Sequence, residues 1–484
     1  MKKIIFLWLL ILCPISSYAN QCKIYWLMGI NEVAFTPCKV EAEQGNAEAQ
    51  YILGLMYDEG DGIEQDVQKA AYWYKKSAEQ GKSDAQFNLA VMYDHGDGIE
   101  QDKQKALYWY TKAAEHGNSN SQNNLAVMYD KGDGIEQDVQ KALYWYTKAA
   151  EKGESAAQFN LAVMYEIGNG IEQDKHKAVY WYTKAAEQGH SNSQNNLAVL
   201  YDKGDGVEQD KQMAAYWYTK SAIQDFSQAQ FNLALMYDQG GRIEQDKQKA
   251  LYWYTKAAEQ GNSSSQNNLA VLYDKGNGVE QDKQMAAYWY TKSAIQGFSQ
   301  AQFNLALMSD EDDDIEQMVY WYTKAAEQDN SEAQYNLAIL YDKGDGVEQD
   351  KHKALYWYTK AAEQGLSNAQ NNLAVMYDEG DGIEQDKQKA LYWYTKAAEK
   401  GEPKAQYRLA FIYDKGDGVK QDKLTAVYWY TKAAEQGHSK AQYNLALIYD
   451  QGDGVEQDKS LAKNYLNQSC DLGFEKACNK LKNN

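Results

Sequence analysis

Apolar residues return every three or four positions along two stretches, and this pair of stretches recurs through most of the chain. Such spacing places the apolar side chains on one face of an α-helix. In residues 82–117 the first face consists of Ala85, Leu89 and Met92 or Tyr93, and the second of Ala106, Trp109, Tyr110 and Ala113. The pattern therefore predicts a pair of amphipathic helices in each repeat.

A Tyr-Trp-Tyr triplet marks the second helix of each repeat. Its Trp follows the preceding one by 36 residues at almost every step, as from Trp73 to Trp109. The exception is Trp321, which follows Trp289 by 32 residues, so one repeat is four residues shorter. A fixed period of this length is typical of a solenoid, in which each repeat packs on its neighbours.

Twelve repeats are present when each is taken to begin after the recurrent Gly. They are residues 46–81, 82–117, 118–153, 154–189, 190–225, 226–261, 262–297, 298–329, 330–365, 366–401, 402–437 and 438–473. We expect residues 20–45 to form an N-terminal cap with a half repeat. Residues 474–484 are expected to form a C-terminal half repeat and tail.

Local signals predict where the helices begin and end. Ser83-Asp84-Ala85-Gln86 has the Ser-x-x-Gln spacing of a capping box, and its Gln recurs in all twelve repeats. Gly96 is suited to the left-handed cap that ends the first helix. Asp102 is placed to cap the second helix. Trp109 shares the apolar face of that helix and is expected to pack in the core, while Tyr108 is expected to reach solvent.

The eighth repeat, 298–329, departs most from the others. Residues 309–314, Ser-Asp-Glu-Asp-Asp-Asp, replace the usual loop with its two glycines. The sequence predicts that the second helix here lacks its capping Asp and its first turn. A local bend or a frayed connection is expected as a result. The five acidic residues are expected to be solvated, with attraction of a basic partner or a cation as the alternative.

The repeated residues resemble those of the Sel-one-like repeat (SLR) family, a relative of the tetratricopeptide repeats. In residues 82–117 they are Leu89-Ala90, Tyr93, Gly96-x-Gly98-Ile99, Gln101-Asp102, Lys105-Ala106, Tyr108-Trp109-Tyr110, Lys112-Ala113-Ala114 and Gly117. The resemblance covers residues 38–482. It implies an all-α, right-handed alpha-alpha superhelical solenoid of helix-turn-helix repeats that binds protein or peptide partners.

Charge and the first residues predict an exported protein. The formal net charge is -20, which gives no electrostatic footprint for nucleic acid and disfavours anionic lipid surfaces. Residues 1–19 have the pattern of a signal peptide: Lys2 and Lys3, an apolar stretch, and Ser17-Tyr18-Ala19 before Asn20. The apolar stretch is short for a membrane span. A periplasmic or secreted protein of a bacterial cell is therefore expected.

Four cysteines remain after such processing: Cys22, Cys38, Cys470 and Cys478. Export permits disulfides, and of the three possible connectivities, pairing within each end is the most economical. The spacing of Cys470 and Cys478 is similar to that of SLR proteins of the Helicobacter cysteine-rich type. In those proteins, a bridge links the second helix of one repeat to the first helix of the next.

Candidate catalytic and metal sites are weak. The cysteine-rich relatives have been associated with beta-lactam binding and hydrolysis, and Ser460-Leu461-Ala462-Lys463 has the Ser-x-x-Lys spacing. The Ser-Asp-Asn and Lys-Thr-Gly partners are missing from the sequence, so helix capping and a solvated Lys are the preferred interpretation. The Asp58 loop has Lys69 where a calcium loop needs Glu. We expect no enzyme, cofactor or metal site; a beta-lactam or peptidoglycan-directed hydrolase is the alternative.

An Asn at the seventh position of the repeat is the candidate binding feature. We call these ten residues the Asn row: Asn88, Asn124, Asn160, Asn196, Asn232, Asn268, Asn304, Asn336, Asn372 and Asn444. Ile52 and Arg408 are the exceptions. Asn is a modest helix former, so its recurrence needs another reason. Either the amides bind the backbone of an extended peptide, or they join adjacent repeats by hydrogen bonds.

A duplication favours binding over catalysis. Residues 194–236 match 266–308 except at two positions. Copying whole repeats extends a periodic surface, whereas it tends to disrupt a unique catalytic arrangement. The sequence therefore predicts an exported repeat scaffold for protein-protein interaction, with cell-envelope maintenance or host interaction as the settings that the family resemblance suggests.

Overall fold

The computed structural model describes residues 20–241, 243–311 and 314–482. Within those ranges it contains helices and turns and no β-strand. The prediction of an all-α protein built from helix-turn-helix repeats is confirmed. The predicted signal peptide, residues 1–19, lies outside the described residues.

Each repeat contains two helices, and in every repeat except the eighth the sequence between them includes two glycines. The first helices are Ala47–Glu59, Ser83–His95, Ser119–Lys131, Ser155–Ile167, Ser191–Lys203, Ser227–Gln239, Ser263–Lys275, Ser299–Glu311, Ser331–Lys343, Ser367–Glu379, Pro403–Lys415 and Ser439–Gln451. The second helices are Val67–Glu79, Lys103–Glu115, Val139–Glu151, Lys175–Glu187, Lys211–Ala222, Lys247–Glu259, Lys283–Ile295, Ile315–Glu327, Lys351–Glu363, Lys387–Glu399, Lys423–Glu435 and Lys459–Asp471. Flanking helices are Gln21–Leu27, Asn31–Glu43 and Glu475–Lys482.

Contacts divide the chain into two compact units, the described parts of Met1–Asp246 and of Lys247–Asn484. Within each unit every helix packs on the helix before it and the helix after it. The core is a series of small clusters, each formed by both helices of one repeat and the first helix of the next. This is the arrangement expected of a solenoid, since each repeat buries its apolar face on its neighbours.

The predicted ends of the two helices are largely confirmed. The first helix ends at Gly96, whose φ of 84° is left-handed. The second helix begins at Asp102, whose carboxylate accepts hydrogen bonds from the backbone N–H groups of Gln104 and Lys105. Both signals are local, so the sequence contains all the atoms that make them.

The predicted capping box is wrong. Lys82 is the N-cap residue of the first helix, so Ser83 already lies inside the helix. Gln86 is buried, and its Nε2 donates to the carbonyl oxygen of Ala78 in the preceding repeat at 3.1 Å. The recurrent Gln therefore joins two repeats.

The same Gln also links the two helices of its own repeat. In the first repeat, Gln80 at the end of the second helix donates to Oε1 of Gln50 at 2.7 Å, and Gln50 donates to the carbonyl of Ala42 at 3.0 Å. Equivalent pairs recur at Gln188 with Gln158 and at Gln364 with Gln334. A buried amide needs a partner for its NH₂ group and another for its oxygen. In these repeats a backbone carbonyl and a second Gln supply them.

The aromatic triplet has three different environments. Tyr110 is fully buried, Trp109 is half-buried, and Tyr108 is 53% exposed. Trp109 packs against the core clusters on both sides of its repeat. The expected solvent exposure of Tyr108 is confirmed, and Trp109 lies at the boundary between repeats. The deepest aromatic side chain of the repeat is Tyr110.

The expectations for the second helix of the eighth repeat are wrong. Ile315–Glu327 is as long as the second helices of most other repeats, and Asp314 caps it by accepting from the N–H of Gln317. The four missing residues therefore come from the loop. A bend at this point stays a prediction, and residues 312 and 313 of the loop lie outside the described residues.

Both ends carry a disulfide. Cys22 bonds to Cys38, and Cys470 bonds to Cys478, so the expected pairing within each end is confirmed. The second bridge links the helix Lys459–Asp471 to the helix Glu475–Lys482 that follows it. Among the described residues, no helix has the length and apolar character needed to cross a membrane.

Candidate functional site

The Asn row lies on the first helices, where all ten side chains are half-buried. Each is followed two residues later by a buried Ala of the same helix, as Asn124 is by Ala126. The backbone around each Asn is regular helix, so the helix position alone sets the direction of its side chain. The amide therefore lies at the edge between the buried seam and the surface.

Six members of the Asn row reach a Tyr hydroxyl in the preceding repeat. The donor and acceptor pairs are Asn124 with Tyr110, Asn196 with Tyr182, Asn268 with Tyr254, Asn336 with Tyr322, Asn372 with Tyr358, and Asn444 with Tyr430, at 2.9–3.3 Å. Asn88 hydrogen-bonds Tyr74 in the same way. These bonds run between successive repeats, as a structural bridge would.

The three remaining members donate to another Asn of the preceding repeat. Asn160 donates to Oδ1 of Asn123 at 3.3 Å, and Asn123 donates in turn to Oδ1 of Asn124. Because Asn124 donates to Tyr110, a continuous series of hydrogen bonds crosses three repeats. Asn232 and Asn304 begin equivalent series through Asn195 and Asn267.

The sixth residue of the preceding repeat decides which bond a member of the Asn row makes. Where this residue is Asn and the next repeat has a member of the Asn row, as at Asn123, it accepts from that member. Where it is aromatic, as at Phe87, the ring packs on the buried Tyr110 with centroids 6.2 Å apart. Phe and Asn alternate at this position through residues 87–303. The alternation is visible in the sequence, but its meaning depends on contacts with the neighbouring repeat.

The buried Tyr residues are the other half of this network. Burial raises the pKa of Tyr110, and the hydrogen bond from Asn124 lowers it by a smaller amount. The hydroxyl therefore stays protonated at neutral pH, where it accepts from Asn124 and donates to Asp94 Oδ2 at 3.5 Å. The Tyr joins the two helices of its own repeat to the helix that follows.

A row of mostly aliphatic side chains lies beside the Asn row, three residues further along the first helices, with Phe411 as the aromatic exception. Val91, Val127, Val199 and Val271 are half-buried, and Leu307 is 38% exposed. Residues three apart share a helix face, so amides and aliphatic groups alternate on one surface of each unit. Such a mixed surface can contact both the backbone and the side chains of an extended peptide.

Arg408 interrupts the Asn row in the eleventh repeat. Its guanidinium forms an ion pair with Glu379 of the preceding repeat at 3.4 Å. Oδ1 of the buried Asn371 has no hydrogen-bond partner, whereas the equivalent atom of Asn123 accepts from the next repeat. The substitution therefore breaks the series of amides at this repeat.

A row of exposed Tyr residues lies on the second helices. Tyr108 contacts the edge of Trp109 with ring centroids 4.9 Å apart, and the ammonium of Lys112 lies 6.0 Å from its centroid. The same arrangement recurs at Tyr144 and Tyr356. Each exposed ring is thus partly covered by residues of its own helix.

Sequence reasoning missed a ladder of ion pairs between repeats. Lys351, the first residue of its helix, contacts Asp342 of the same repeat at 2.7 Å and Asp381 of the next. Lys387 and Lys423 make equivalent double contacts. The recurrence of Asp and Lys nine residues apart was the available signal.

The structure does not bring Ser460 and Lys463 into an enclosed site. Both are exposed near the start of the helix Lys459–Asp471. His190 and His438 act as N-cap residues of first helices, each accepting from a backbone N–H through its side chain. In the part of the chain that the structure describes, no group of three or more His, Cys, Asp or Glu residues has the arrangement of a metal site.

A family model for the Sel1 repeat matches the chain in twelve successive segments. They are residues 47–82, 83–118, 119–154, 155–190, 191–226, 227–262, 263–298, 299–330, 331–366, 367–402, 403–438 and 439–474. The chain therefore belongs to the Sel1 repeat family. The resemblance found in the sequence is confirmed by this match.

Solved structures of the same family are similar to the chain. A protective antigen present in uropathogenic Escherichia coli strains, which displays an SLR fold, is 36% identical with a TM-score of 0.64. The similarity covers 93% of this chain and 91% of that chain. A Sel1 repeat protein from Oxalobacter formigenes is 34% identical over 50% of this chain and 97% of that chain, with a TM-score of 0.47. None of the curated proteins matches the chain.

Proposed function

We propose that the protein is an exported scaffold that binds an extended segment of a protein partner along its first helices. Sel1 repeats typically mediate protein-protein interaction, which supports this class of function. The surface on which the proposal depends is the alternation of half-buried amides and aliphatic side chains described above. It recurs with each repeat, so successive short stretches of a peptide meet similar groups.

The surface favours an extended peptide whose backbone N–H groups can reach the amides and whose side chains are apolar. The Nδ2 groups of the Asn row are used within the fold, but an amide oxygen has two lone pairs and can accept a second hydrogen bond. The aliphatic row supplies apolar area beside it. The net charge of -20 favours a basic or neutral partner over an acidic one.

An extracytoplasmic setting fits several observations. Two disulfides join cysteines near the two ends, and disulfides persist in oxidising compartments. The first residues have the signal-peptide pattern, and the similar Escherichia coli protein is described as a protective antigen. We infer a periplasmic or secreted location, with cell-envelope maintenance or host interaction as the setting.

The duplicated segments offer matched sites for a test. Val199→Lys combined with Val271→Lys places a charge on the first-helix surface of both copies. Affinity capture from envelope and host extracts, followed by mass spectrometry, is expected to lose the partner that the wild-type protein retains. The control is Tyr216→Ala with Tyr288→Ala, which alters exposed residues of the second helices in the same repeats.

The control is expected to retain the partner. Loss of the partner only in the control would place binding on the second helices and contradict the proposal. Circular dichroism of both variants establishes that they remain folded.

The Asn row needs a separate test, because its members bond to their own fold. With Asn196→Ala and Asn268→Ala, weaker capture at an unchanged melting temperature favours direct contact with the ligand. A lower melting temperature with unchanged capture favours a bridging role. Each Asn donates to a buried Tyr of the preceding repeat, so both substitutions remove bonds at equivalent seams.

A further inference from the structure

Glu41 is a buried carboxylate close to the predicted start of the mature chain. Only 7% of the residue is exposed, and it lies in the helix Asn31–Glu43. Its Oε1 accepts from the backbone N–H of Cys22 at 3.1 Å. Its Oε2 accepts from the backbone nitrogen of Asn20 at 3.3 Å.

This carboxylate has no cationic partner within the part of the chain that the structure describes. The nearby Lys23 forms its ion pair with Glu48 at 3.0 Å, and Glu48 also contacts Lys82 at 2.7 Å. An ionised carboxylate that is buried without a counter-charge is costly, and such groups in proteins are usually paired. Two backbone N–H groups supply hydrogen bonds to Glu41 but no net positive charge.

Signal-peptide cleavage at the predicted site would supply the missing charge. The small-x-small sequence Ser17-Tyr18-Ala19 places the cleaved bond between Ala19 and Asn20. Hydrolysis of that bond adds water, leaves a carboxylate on Ala19, and turns the backbone nitrogen of Asn20 into an α-ammonium group. That nitrogen is the atom already within hydrogen-bond distance of Glu41 Oε2.

We propose that cleavage before Asn20 creates an ion pair between the new α-ammonium group and Glu41, and that this pair completes the N-terminal cap. Glu41 then holds the start of the chain against the helix Asn31–Glu43. The Cys22–Cys38 disulfide joins the same two segments. Processing thus changes the stability of the cap as well as the length of the chain.

The backbone of Asn20 also suits a chain that begins at this residue. Its φ is 95°, a left-handed value that is uncommon for residues other than Gly. In a chain that begins at Asn20, no carbonyl group precedes its nitrogen. The steric clash that makes a left-handed φ unfavourable is then absent. The free ammonium can then rotate to direct a hydrogen at Glu41.

The test uses the full mature chain. Intact mass of the protein exported by bacterial cells first gives the N-terminal residue, which is expected to be Asn20. A chain that begins at Asn20 is then compared with one that carries Gly-Ser before Asn20, each with Glu41 and with Glu41→Gln. Hydrogen exchange at the Cys22 and Ile24 amides is the measurement.

In the protein with Glu41, the extension is expected to speed this exchange by on the order of tenfold, since a charged hydrogen bond is lost. With Glu41→Gln, the extension is expected to have little effect. Glu43→Gln is the matched control, because Glu43 is exposed two residues away and should leave the response to the extension unchanged. If Glu41→Gln fails to fold, selective acetylation of the α-amine in the protein with Glu41 replaces it and should also speed exchange.

Either of two results would overturn the proposal. One is a mature protein that begins at another residue. The other is unchanged exchange at Cys22 and Ile24 after the chain is extended or acetylated. An extension that changes the exchange equally with Glu41 and with Glu41→Gln would count in the same way.

Discussion

The eighth and ninth repeats contain the same pair of helices but very different loops. In the ninth repeat, seven residues, 344–350, join Ser331–Lys343 to Lys351–Glu363. In the eighth, three residues, 312–314, join Ser299–Glu311 to Ile315–Glu327. The difference of four residues equals the shortening seen in the sequence. Part of the loop can therefore be removed while both helices keep their usual length.

The eighth repeat keeps the bonds that align its two helices. The backbone N–H of Asp314 donates to the carbonyl of Ser309 at 2.9 Å, as that of Asp350 donates to Tyr341 at 2.9 Å. Gln328 still donates to Gln302 across the helix pair. The helix cap and the seam thus survive a loop of less than half the usual length.

What the eighth repeat lacks is the Lys that begins the second helix of the ninth repeat. Ile315 stands where the ninth repeat has Lys351, which bridges two Asp residues. In exchange, Met318 replaces the small Ala354 and is buried in the core cluster with Tyr322. The helix pair thus forms without this Lys, as expected if buried apolar contacts stabilise it more than a surface ion pair does.

The largest effect is expected from the buried Met318. Met318→Ala removes its buried side chain and leaves a cavity, at a cost of ~2–5 kcal/mol in the free energy of unfolding. Ala354→Met is the reverse change in the ninth repeat, where we expect overpacking to cost about 1–3 kcal/mol. Urea denaturation with hydrogen exchange of the local helices measures both. If Met318→Ala cost less than a typical surface substitution, the buried contact of Met318 would not be what stabilises the eighth repeat.

An intermediate effect is expected from the helix caps. Asp314→Ala removes the side-chain acceptor for the N–H of Gln317 and should cost ~1 kcal/mol. Asp350→Ala is expected to cost a similar amount, because it removes the same bond to Lys353. Thermal and urea unfolding of the two variants would show whether the short loop weakens the cap. A near-zero cost at Asp314 alone would mean that the eighth repeat is not capped in solution.

The smallest effect on stability is expected from the Asp near the end of the first helix. Whether its charge stabilises or destabilises the fold depends on the presence of the Lys nine residues later. Burial alone raises the pKa of Asp414, but hydrogen bonds from Lys423 and Lys415 hold it below its usual value. In the third repeat, Val139 stands where most other repeats have this Lys, and burial raises the pKa of Asp130. The third repeat therefore shares with the eighth the loss of this cation.

The two carboxylates should respond to pH in opposite directions. The stability contributed by Asp414 is present above its unfolded pKa and is lost as pH falls through its lower folded pKa. For Asp130, ionisation is disfavoured in the folded state, so stability is lost as pH rises through its raised pKa.

At neutral pH, Asp414→Asn is therefore expected to destabilise the protein and Asp130→Asn to stabilise it slightly, each by under ~1 kcal/mol. Unfolding curves at pH 3 and pH 7 give both signs. If both variants changed the free energy of unfolding in the same direction at pH 7, the Lys would not be what distinguishes the two carboxylates.

Sequence reasoning succeeded where the interacting atoms lie within one or two turns of chain. Gly96 and Asp102 were placed correctly, since their caps depend on neighbouring backbone groups. It failed at Gln86, whose spacing to Ser83 suggested a local box. The partner of Gln86 is a carbonyl in the preceding repeat, and a single-repeat motif does not reveal it.

The candidate site was likewise predicted only in part. The sequence identified the Asn row by its recurrence but left its partners open. Asn196 donates to Tyr182, and Asn232 donates to Asn195, which is 37 residues away. The sequence also gave no reason to connect Glu41 with Asn20, because helix packing brings them together across 21 residues.

The sequence by itself determined the family, the helix pairs, the Gly cap that ends the first helix and the Asp cap that begins the second, and it favoured the disulfide pairing that the structure contains. Hydrogen bonds within helices and caps are local, and the period fixes how the helices recur. Tertiary structure alone decided which side chain fills the seam, where each buried amide finds its partner, and that the shortened repeat keeps a complete second helix. The physical reason is that buried polar groups must be satisfied by whichever atoms packing brings near them, and those atoms belong mostly to the neighbouring repeat.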